Sequence, residues 1–275
     1  MYGIVLQWLP MIVALAAAGV GGGLLAGLLG VGGGIIIVPA LDAALGLAGV
    51  SHEAALHVAV ATSMATIVPT SISSARSHAR RGSVDAAVVR RWVLPIVVGA
   101  VAGALAASYL NARILAGIFG AVALLSAVKM LLPLDRVVLR PSLPTGLPGA
   151  ILPASIGAIA AMMGIGGGTM SVPAMTLCGE PVHKAVGTAA LVGFWISTPA
   201  TVGYLMARVP AAQVLPPLTV GYVSVLGFAL IAPLSWLMAP YGARLAHALD
   251  RRKLSAAFGV FLLIVAIRML YRAFA

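Results

Sequence analysis

The sequence predicts an all-α integral membrane protein made of two inverted-topology repeats, and three observations support this fold class. Hydrophobic residues make up 61% of the 275-residue chain and charged residues only 8%, whereas a soluble domain carries about 25% charged residues. Several apolar stretches are long enough to cross a bilayer, which takes roughly 20 residues. The third observation is a glycine motif that occurs twice, as GVGGGIIIVP at 30–39 and as GIGGGTMSVP at 164–173.

The duplication extends over nearly the whole chain. The stretch GLLGVGGGIIIVPAL at 27–41 aligns with AMMGIGGGTMSVPAM at 161–175, and FGAVALLSAVKML at 119–131 aligns with FGVFLLIVAIRML at 258–270. Internal repeats of this size define the architecture of a chain. We therefore predict a first transmembrane repeat over 1–135, a cytoplasmic linker over 136–148 and a second transmembrane repeat over 149–275, which together form one membrane domain.

Each repeat is predicted to contain a glycine-broken half-helix pair followed by three long transmembrane helices. In the first repeat the pair covers 5–29 and 35–47, and the long helices cover 53–75, 86–109 and 113–133. In the second repeat the pair covers 149–164 and 169–178, and the long helices cover 184–206, 214–238 and 253–273. The second member of each pair is too short to span a bilayer, so each pair is expected to enter the membrane and return.

The distribution of basic residues predicts how the repeats are oriented. The first repeat concentrates them at 76–91, between its first and second long helices, whereas the second repeat has Arg244, Arg251, Arg252 and Lys253 between its second and third. The positive-inside rule places both clusters in the cytoplasm, which requires the repeats to lie in opposite orientations. The same rule accounts for the net charge of +11 without a nucleic-acid partner. We expect a multi-pass protein of a bacterial inner membrane.

The paired glycine clusters predict a binding site for an anion. Each cluster would end one half-helix and begin another, and the amides that begin a helix are free and carry a partial positive charge. Two such ends that meet near the midplane would bind an anion without a buried lysine. The alternative is that the glycines only allow close helix packing. The predicted site comprises Gly32, Gly33, Gly34, Ile35, Gly166, Gly167, Gly168, Thr169 and Met170.

Hydroxyl side chains near the clusters are further candidates to bind the substrate. They are Thr62, Ser63 and Thr66 on the first long helix, Ser197 and Thr198 on its counterpart, and Thr169 and Ser171 after the second cluster. The alternative is that these hydroxyls bond carbonyls of their own helices. His57 could titrate and couple protons to transport, or it could be a packed, neutral side chain.

The motif G-x-G-G-G-x-x-x-V-P, present twice, resembles the TauE/SafE sulfite exporter family, also called the toluene sulfonate uptake permease family. The stretches HVAVATSMAT at 57–66 and RRGSVD at 80–85 are similar to the first-half pattern of that family. The resemblance covers nearly all of the chain and implies export or uptake of sulfur-containing anions, such as sulfite, sulfoacetate or thiosulfate. Because residues 61–63 face the different residues 192–194, we expect an asymmetric site that depends on the first-half hydroxyls.

The sequence favours a secondary transporter that works by alternating access and leaves a passive anion or small-solute channel as the alternative. An intramembrane enzyme is not expected, because no serine–base pair or pair of acids is evident at depth. The single cysteine, Cys178, excludes an internal disulfide and a multi-cysteine metal site. We expect no metal site and no cofactor. The expected partners are a small anion and the lipid bilayer, and the oligomeric state is left open.

Overall fold

The computed structural model describes residues 2–132, 140–211, 213–246 and 251–274, which are almost entirely helical. In the first half, the helices are α1 (Tyr2–Leu29), α2 (Gly34–Leu47), α3 (His52–Ala79), α4 (Ala86–Tyr109) and α5 (Ala112–Leu131). In the second half they are α6 (Gly146–Met163), α7 (Gly168–Leu177), α8 (Val182–Met206), α9 (Val225–Leu245) and α10 (Arg251–Phe274). Two short strands, β1 (Thr219–Val220) and β2 (Val223–Ser224), form an antiparallel hairpin before α9.

Among the described residues, seven helices are long and apolar enough to cross a membrane, namely α1, α3, α4, α5, α6, α8 and α9. Their length matches the roughly 20 residues that a bilayer requires. The prediction of an all-α, multi-pass integral membrane protein is therefore confirmed.

Both predicted chain breaks are present, and glycine geometry explains the first of them. Gly30, Gly32 and Gly33 have φ values of 67°, 78° and 79°, in the left-handed region that residues with a Cβ rarely adopt. The chain thereby leaves α1 and returns beside it, because Gly33 packs against Gly22 and α2 continues with Ile37 beside the same residue. In the second half, Gly164 ends α6 with a φ of 67° and α7 begins at Gly168.

The helices pack in pairs that correspond between the two halves of the chain. α1 packs on α9 as α6 packs on α4, α2 packs on α3 as α7 packs on α8, and α3 packs on α9 as α8 packs on α4. The two remaining major pairs join α5 to α10 and α3 to its counterpart α8. α3 lies at the centre, since 83% of its most apolar window is buried. Each of these contacts made by a helix of one half thus has an equivalent contact made by the corresponding helix of the other half.

Glycines allow the backbones of α1 and α9, and those of α4 and α6, to approach closely. A Cβ on Gly27 of α1 would overlap the carbonyl oxygen of Ala239 in α9, and a Cβ on Gly99 of α4 would overlap that of Ala154 in α6. Small residues at helix interfaces have this role in membranes, where backbones must approach closely to gain van der Waals contact.

Three contacts indicate the directions of α3, α4 and α9. Thr62 contacts Ser224 at the start of α9, and Ser73, further along α3, contacts Trp236 further along α9, so α3 and α9 run in the same direction. His57, near the start of α3, contacts the end of α4 at Leu110, so α4 runs opposite to α3. α4 and α9, which hold equivalent positions in the two halves, therefore run in opposite directions.

Polar side chains begin several of the helices by accepting hydrogen bonds from amides of the first turn. Ser51 accepts from Ala54 at the start of α3, and Asp85 accepts from Ala87 and Val88 at the start of α4. Asn111 has the same role before α5. These N-caps satisfy amides that have no acceptor within the helix.

The structure differs from the predicted segments at two places. The long helix predicted over 214–238 is wrong at its start, because α9 begins at Val225. Pro216 and Pro217 have no amide hydrogen to donate, and Leu218 and Gly221 have positive φ values of 58° and 56°, so the chain forms a hairpin there. α6 begins at Gly146, within the segment 136–148 predicted as a linker; residues 133–139 lie outside the described residues.

Candidate anion-binding site

The two chain breaks meet at the centre of the molecule and pack backbone against backbone. A Cβ on Gly166 would lie 2.9 Å from the Cα atom of Gly32. A Cβ on Gly34 would overlap the carbonyl oxygen of Gly164, and a Cβ on Gly168 would overlap that of Gly30. Because these glycines have no side chains, the glycine clusters at 30–34 and 164–168 can lie in direct contact.

Helices α2 and α7 begin at this meeting point without side-chain caps. Their N-cap residues are Gly33 and Gly167, and neither helix start has a side-chain capping bond. The Ser171 amide donates to the Gly167 carbonyl at 2.7 Å. Within the described part of the chain, the preceding amides of Gly34, Ile35, Gly168 and Thr169 donate no hydrogen bond. Free amides at a helix start are donors for a negatively charged group.

The candidate hydroxyls of α3 are buried and engaged within the protein. Thr62 Oγ1 accepts a hydrogen bond from the Ser224 amide at 2.9 Å, and Thr66 Oγ1 donates to the Ser63 carbonyl of its own helix at 2.8 Å. Ser63 Oγ donates to the Gly164 carbonyl at 2.7 Å. Ser63 thereby joins the central helix of the first half to the chain break of the second half.

Three candidate hydroxyls of the second half have no partner in the described structure. They are Thr169 Oγ1, Ser171 Oγ and Thr198 Oγ1. Ser197 instead donates to the Phe194 carbonyl of its own helix, over 3.4 Å. Leaving a buried hydroxyl without a partner costs about 1–3 kcal/mol. The unpartnered groups are therefore the ones that a bound ligand can satisfy.

Ser171 lies directly at the start of α7. A Cβ added to Gly167 would lie 3.3 Å from Ser171 Oγ, and the Ser171 side chain is fully buried. Met170, which precedes it, is partly buried against the core. At the positions of α2 that correspond to Thr169 and Ser171, the chain has Ile35 and Ile37, both fully buried. The two helix starts are therefore chemically different, and the polar one belongs to the second half.

Ser71 is a further unpartnered hydroxyl near the breaks that the sequence analysis missed. Its Oγ has no partner in the described structure and lies 2.9 Å from the Cβ position of Gly193 on α8. Ser71 follows Ile67 by one helical turn, and the Ile67 side chain lies 3.1 Å from the Cβ position of Gly32. The hydroxyl-rich stretch TSISS at 70–74, with four hydroxyl residues out of five, was the signal that could have identified it.

His57 is buried between α3 and α4, and both of its ring nitrogens face carbonyl oxygens. Nδ1 lies 2.7 Å from the Glu53 carbonyl oxygen, and Nε2 lies 3.2 Å and 3.0 Å from those of Ala107 and Leu110. The ring also stacks on Tyr222 at 5.1 Å. A ring nitrogen that carries a hydrogen can donate to the carbonyl oxygen that it faces.

A buried ion pair holds the far end of α2, and the sequence analysis did not identify it. Asp42 is fully buried and forms a salt bridge with Arg272 of α10, while Arg272 also contacts His52 at the start of α3. The second carboxylate oxygen of Asp42 has no partner in the described structure. The pair fixes the returning half-helix α2 to two neighbouring helices.

Cys178 lies just beyond the carboxyl-terminal end of α7, away from the chain breaks. Burial raises the pKa of its thiol, Arg140 lowers it and Glu180 raises it, with burial the largest effect. The neutral thiol is a poor nucleophile and a poor metal ligand, so this residue adds no chemistry to the site.

Comparisons with known proteins agree with the fold. Residues 15–269 match the model of the family described as sulfite exporter TauE/SafE. A probable membrane transporter protein of Haemophilus influenzae is 30% identical over 250 residues, which cover 90% of this chain and 93% of that protein. No solved structure matches the chain significantly.

Proposed function

Because the chain belongs to the sulfite exporter TauE/SafE family, and is accordingly a membrane transporter, we propose that it carries small sulfur-containing anions by alternating access. The substrate class is sulfite or an organosulfonate such as sulfoacetate. The observation that carries the proposal is the meeting of two uncapped helix starts beside buried, unpartnered hydroxyls. A free backbone amide can only donate a hydrogen bond, and a hydroxyl can rotate to donate one. Both groups therefore suit the oxygens of an oxyanion.

The anion is proposed to lie at the start of α7 rather than midway between the two motifs. The first-half hydroxyls of Thr62, Ser63 and Thr66 are engaged within the protein, whereas Thr169 and Ser171 are unpartnered. The amides of Gly168 and Thr169 complete a set of donors on one half-helix. We therefore propose that second-half residues bind the anion, in place of the first-half hydroxyls that the sequence favours.

We propose that the two halves are inverted repeats that move against each other around this site. The opposite directions of α4 and α9 support the inversion, and so does the correspondence of helix contacts between the halves. In transporters built from inverted repeats, alternating access is largely a rocking of one unit against the other. The packed glycine breaks would then have to separate to admit the substrate.

Ser171→Ala is expected to weaken anion binding without destabilising the unliganded protein. A hydrogen bond to a charged group contributes about 1.5–3 kcal/mol, so affinity should fall about 10- to 150-fold. Because the hydroxyl has no protein partner, its removal should leave the unfolding temperature unchanged or raise it. The measurement is thermal stabilisation of detergent-solubilised protein by sulfite, thiosulfate, sulfoacetate, taurine, sulfate and chloride.

Ser74→Ala is the matched control for this substitution. Ser74 is equally buried, but its Oγ donates to the Ala26 carbonyl at 3.1 Å. We expect Ser74→Ala to lose about 1 kcal/mol of stability and to keep the wild-type anion affinity. The site assignment would be wrong if Ser171→Ala bound the preferred anion as tightly as the wild type. The substrate class would be wrong if chloride stabilised the protein as well as every sulfur anion.

His57 is proposed to couple proton movement to transport. Its two nitrogens face three carbonyl oxygens, and its ring stacks on Tyr222. His57→Gln keeps a donor at this place but removes titration. We expect this variant to retain saturable counterflow of the anion in proteoliposomes and to lose acceleration by a pH gradient. An unchanged response to the gradient would exclude His57 from coupling, and conductive flux without saturation would indicate a channel.

A further inference from the structure

We propose that a second oxyanion site lies at the basic end of the protein, in a groove between the carboxyl-terminal ends of α3 and α9. The groove has a volume of about 400 Å³, within the range of small-ligand pockets. Its ligand carries a phosphate or a similar oxyanion, either as a lipid headgroup or free in solution. We call it the arginine groove; the residues that define it are Arg76, Ser77, Arg80, Arg81, Trp236 and Arg244.

The charge of the arginine groove is positive and uncompensated in the described structure. Four arginines line it and no carboxylate does, and the one salt bridge found among the described residues joins Arg272 to Asp42 elsewhere. Like charges gathered in one concavity repel one another, and the focused field attracts a counter-ion. An oxyanion in the groove relieves this repulsion.

The arrangement of the arginines suits an oxyanion with several oxygens. Arg81 donates to the hydroxyl and carbonyl oxygens of Ser77, and the Arg244 guanidinium stacks over Tyr241 at 5.4 Å from the ring centre. Both contacts hold a planar fork in place, and such forks bind phosphate oxygens in pairs. Arg76 and Arg80 contribute further guanidinium groups to the same groove.

The two halves of the chain build the arginine groove together. Arg76, Arg80 and Arg81 come from α3 and the loop after it, whereas Trp236 and Arg244 come from α9. The Ser73 hydroxyl donates to the Trp236 carbonyl at 2.8 Å and fixes the two walls to each other. Trp236 is 45% exposed, and an exposed tryptophan beside arginines is typical of the membrane–water interface.

The arginine groove is separate from the candidate site at the chain breaks. Ser73 lies about 15 Å further along α3 than Ser63, at 1.5 Å per residue. Ser63 contacts the second break, whereas Arg76 and Arg80 lie at the exposed end of the helix. An anion in the groove therefore occupies different residues from one bound at Ser171.

The test measures binding of two probes to delipidated protein in detergent. Inorganic phosphate is titrated by calorimetry, and retention of phosphatidylglycerol against phosphatidylcholine is counted by native mass spectrometry. We expect R76Q/R80Q to lower binding of phosphate, of phosphatidylglycerol or of both by at least about tenfold, because it removes two charged donors. The matched control is R90Q/R91Q, which removes the same charge from exposed positions on α4 outside the groove.

The two probes distinguish the source of the oxyanion. Selective retention of phosphatidylglycerol without phosphate binding supports the groove and identifies a lipid headgroup, and the opposite pattern supports the groove and identifies a free anion. If R76Q/R80Q loses binding of both phosphate and phosphatidylglycerol, the result supports a site that accepts a free anion as well as a lipid headgroup. The proposal is overturned if the wild type binds neither probe better than R76Q/R80Q, or if R90Q/R91Q loses binding equally.

Discussion

Gly168→Ala is expected to destabilise the protein by about 3 kcal/mol or more, because overpacking against rigid neighbours is costly. The added methyl group would overlap the carbonyl oxygen and carbon of Gly30 and approach the Cα atom of Val31. All of these are backbone atoms, so no side chain can rotate away. The measurement is thermal unfolding of purified protein in detergent, combined with anion titration, in which we expect the stabilising shift to disappear.

Gly46→Ala is the control for the general effect of removing a glycine. Gly46 lies in α2, and no atom lies within 4 Å of its Cβ position. Alanine costs less backbone entropy than glycine in a helix, so we expect a gain of about 0.5–1 kcal/mol and unchanged anion binding. If Gly168→Ala were as stable as Gly46→Ala, the close contact between the two chain breaks would be wrong.

Arg272→Gln is expected to cost about 3–5 kcal/mol, because it leaves a buried carboxylate without its counter-charge. Asp42 is fully buried, while the Arg272 side chain is 20% exposed. Once the pair is broken, the aspartate carboxylate therefore has no access to water, whereas the arginine has some. The helix α2 should lose its attachment to α10, and anion binding at the chain breaks should weaken as a consequence. Thermal unfolding and anion titration of the same sample measure both effects.

The double variant D42N/R272Q separates the charge from the packing. It replaces both charged groups by neutral amides, so that no buried charge is left without its counter-charge. We expect it to recover most of the stability that Arg272→Gln loses. Asp42→Asn alone should cost less than Arg272→Gln, since the partly exposed guanidinium can reach water. If all three variants were as stable as the wild type, the pair would contribute nothing to stability.

The helices and the chain breaks could be predicted because they depend on local properties of the chain. Hydropathy over a window identifies a membrane helix, and three consecutive glycines before an apolar run mark a break whatever surrounds it. Hydropathy does not predict the start of α9, although Pro216, Pro217 and Gly221 are local turn signals. Residues 214–224 are apolar enough for a helix, and their hairpin packs Tyr222 against His57 on α3, a tertiary contact.

The position of the chain breaks that form the candidate site could be predicted, but the hydrogen bonding of its side chains could not. The glycine clusters identified where the halves meet, yet nothing local distinguishes the engaged hydroxyl of Ser63 from the unpartnered hydroxyl of Ser171. That difference depends on which carbonyls lie nearby in the fold. The pair of Asp42 and Arg272 is a stronger case, because its members are 230 residues apart in the sequence, so that only the tertiary structure brings them together.

The contact between the two glycine breaks makes the two motifs sterically dependent on each other. Since each motif fills the space that a larger residue in the other would need, a side chain at position 34 would meet the backbone at Gly164, and one at position 168 would meet the backbone at Gly30. A larger residue at either position therefore requires the backbone of the other motif to move. The residues that follow the glycines do differ, since one motif reads Ile-Ile-Ile there and the other Thr-Met-Ser.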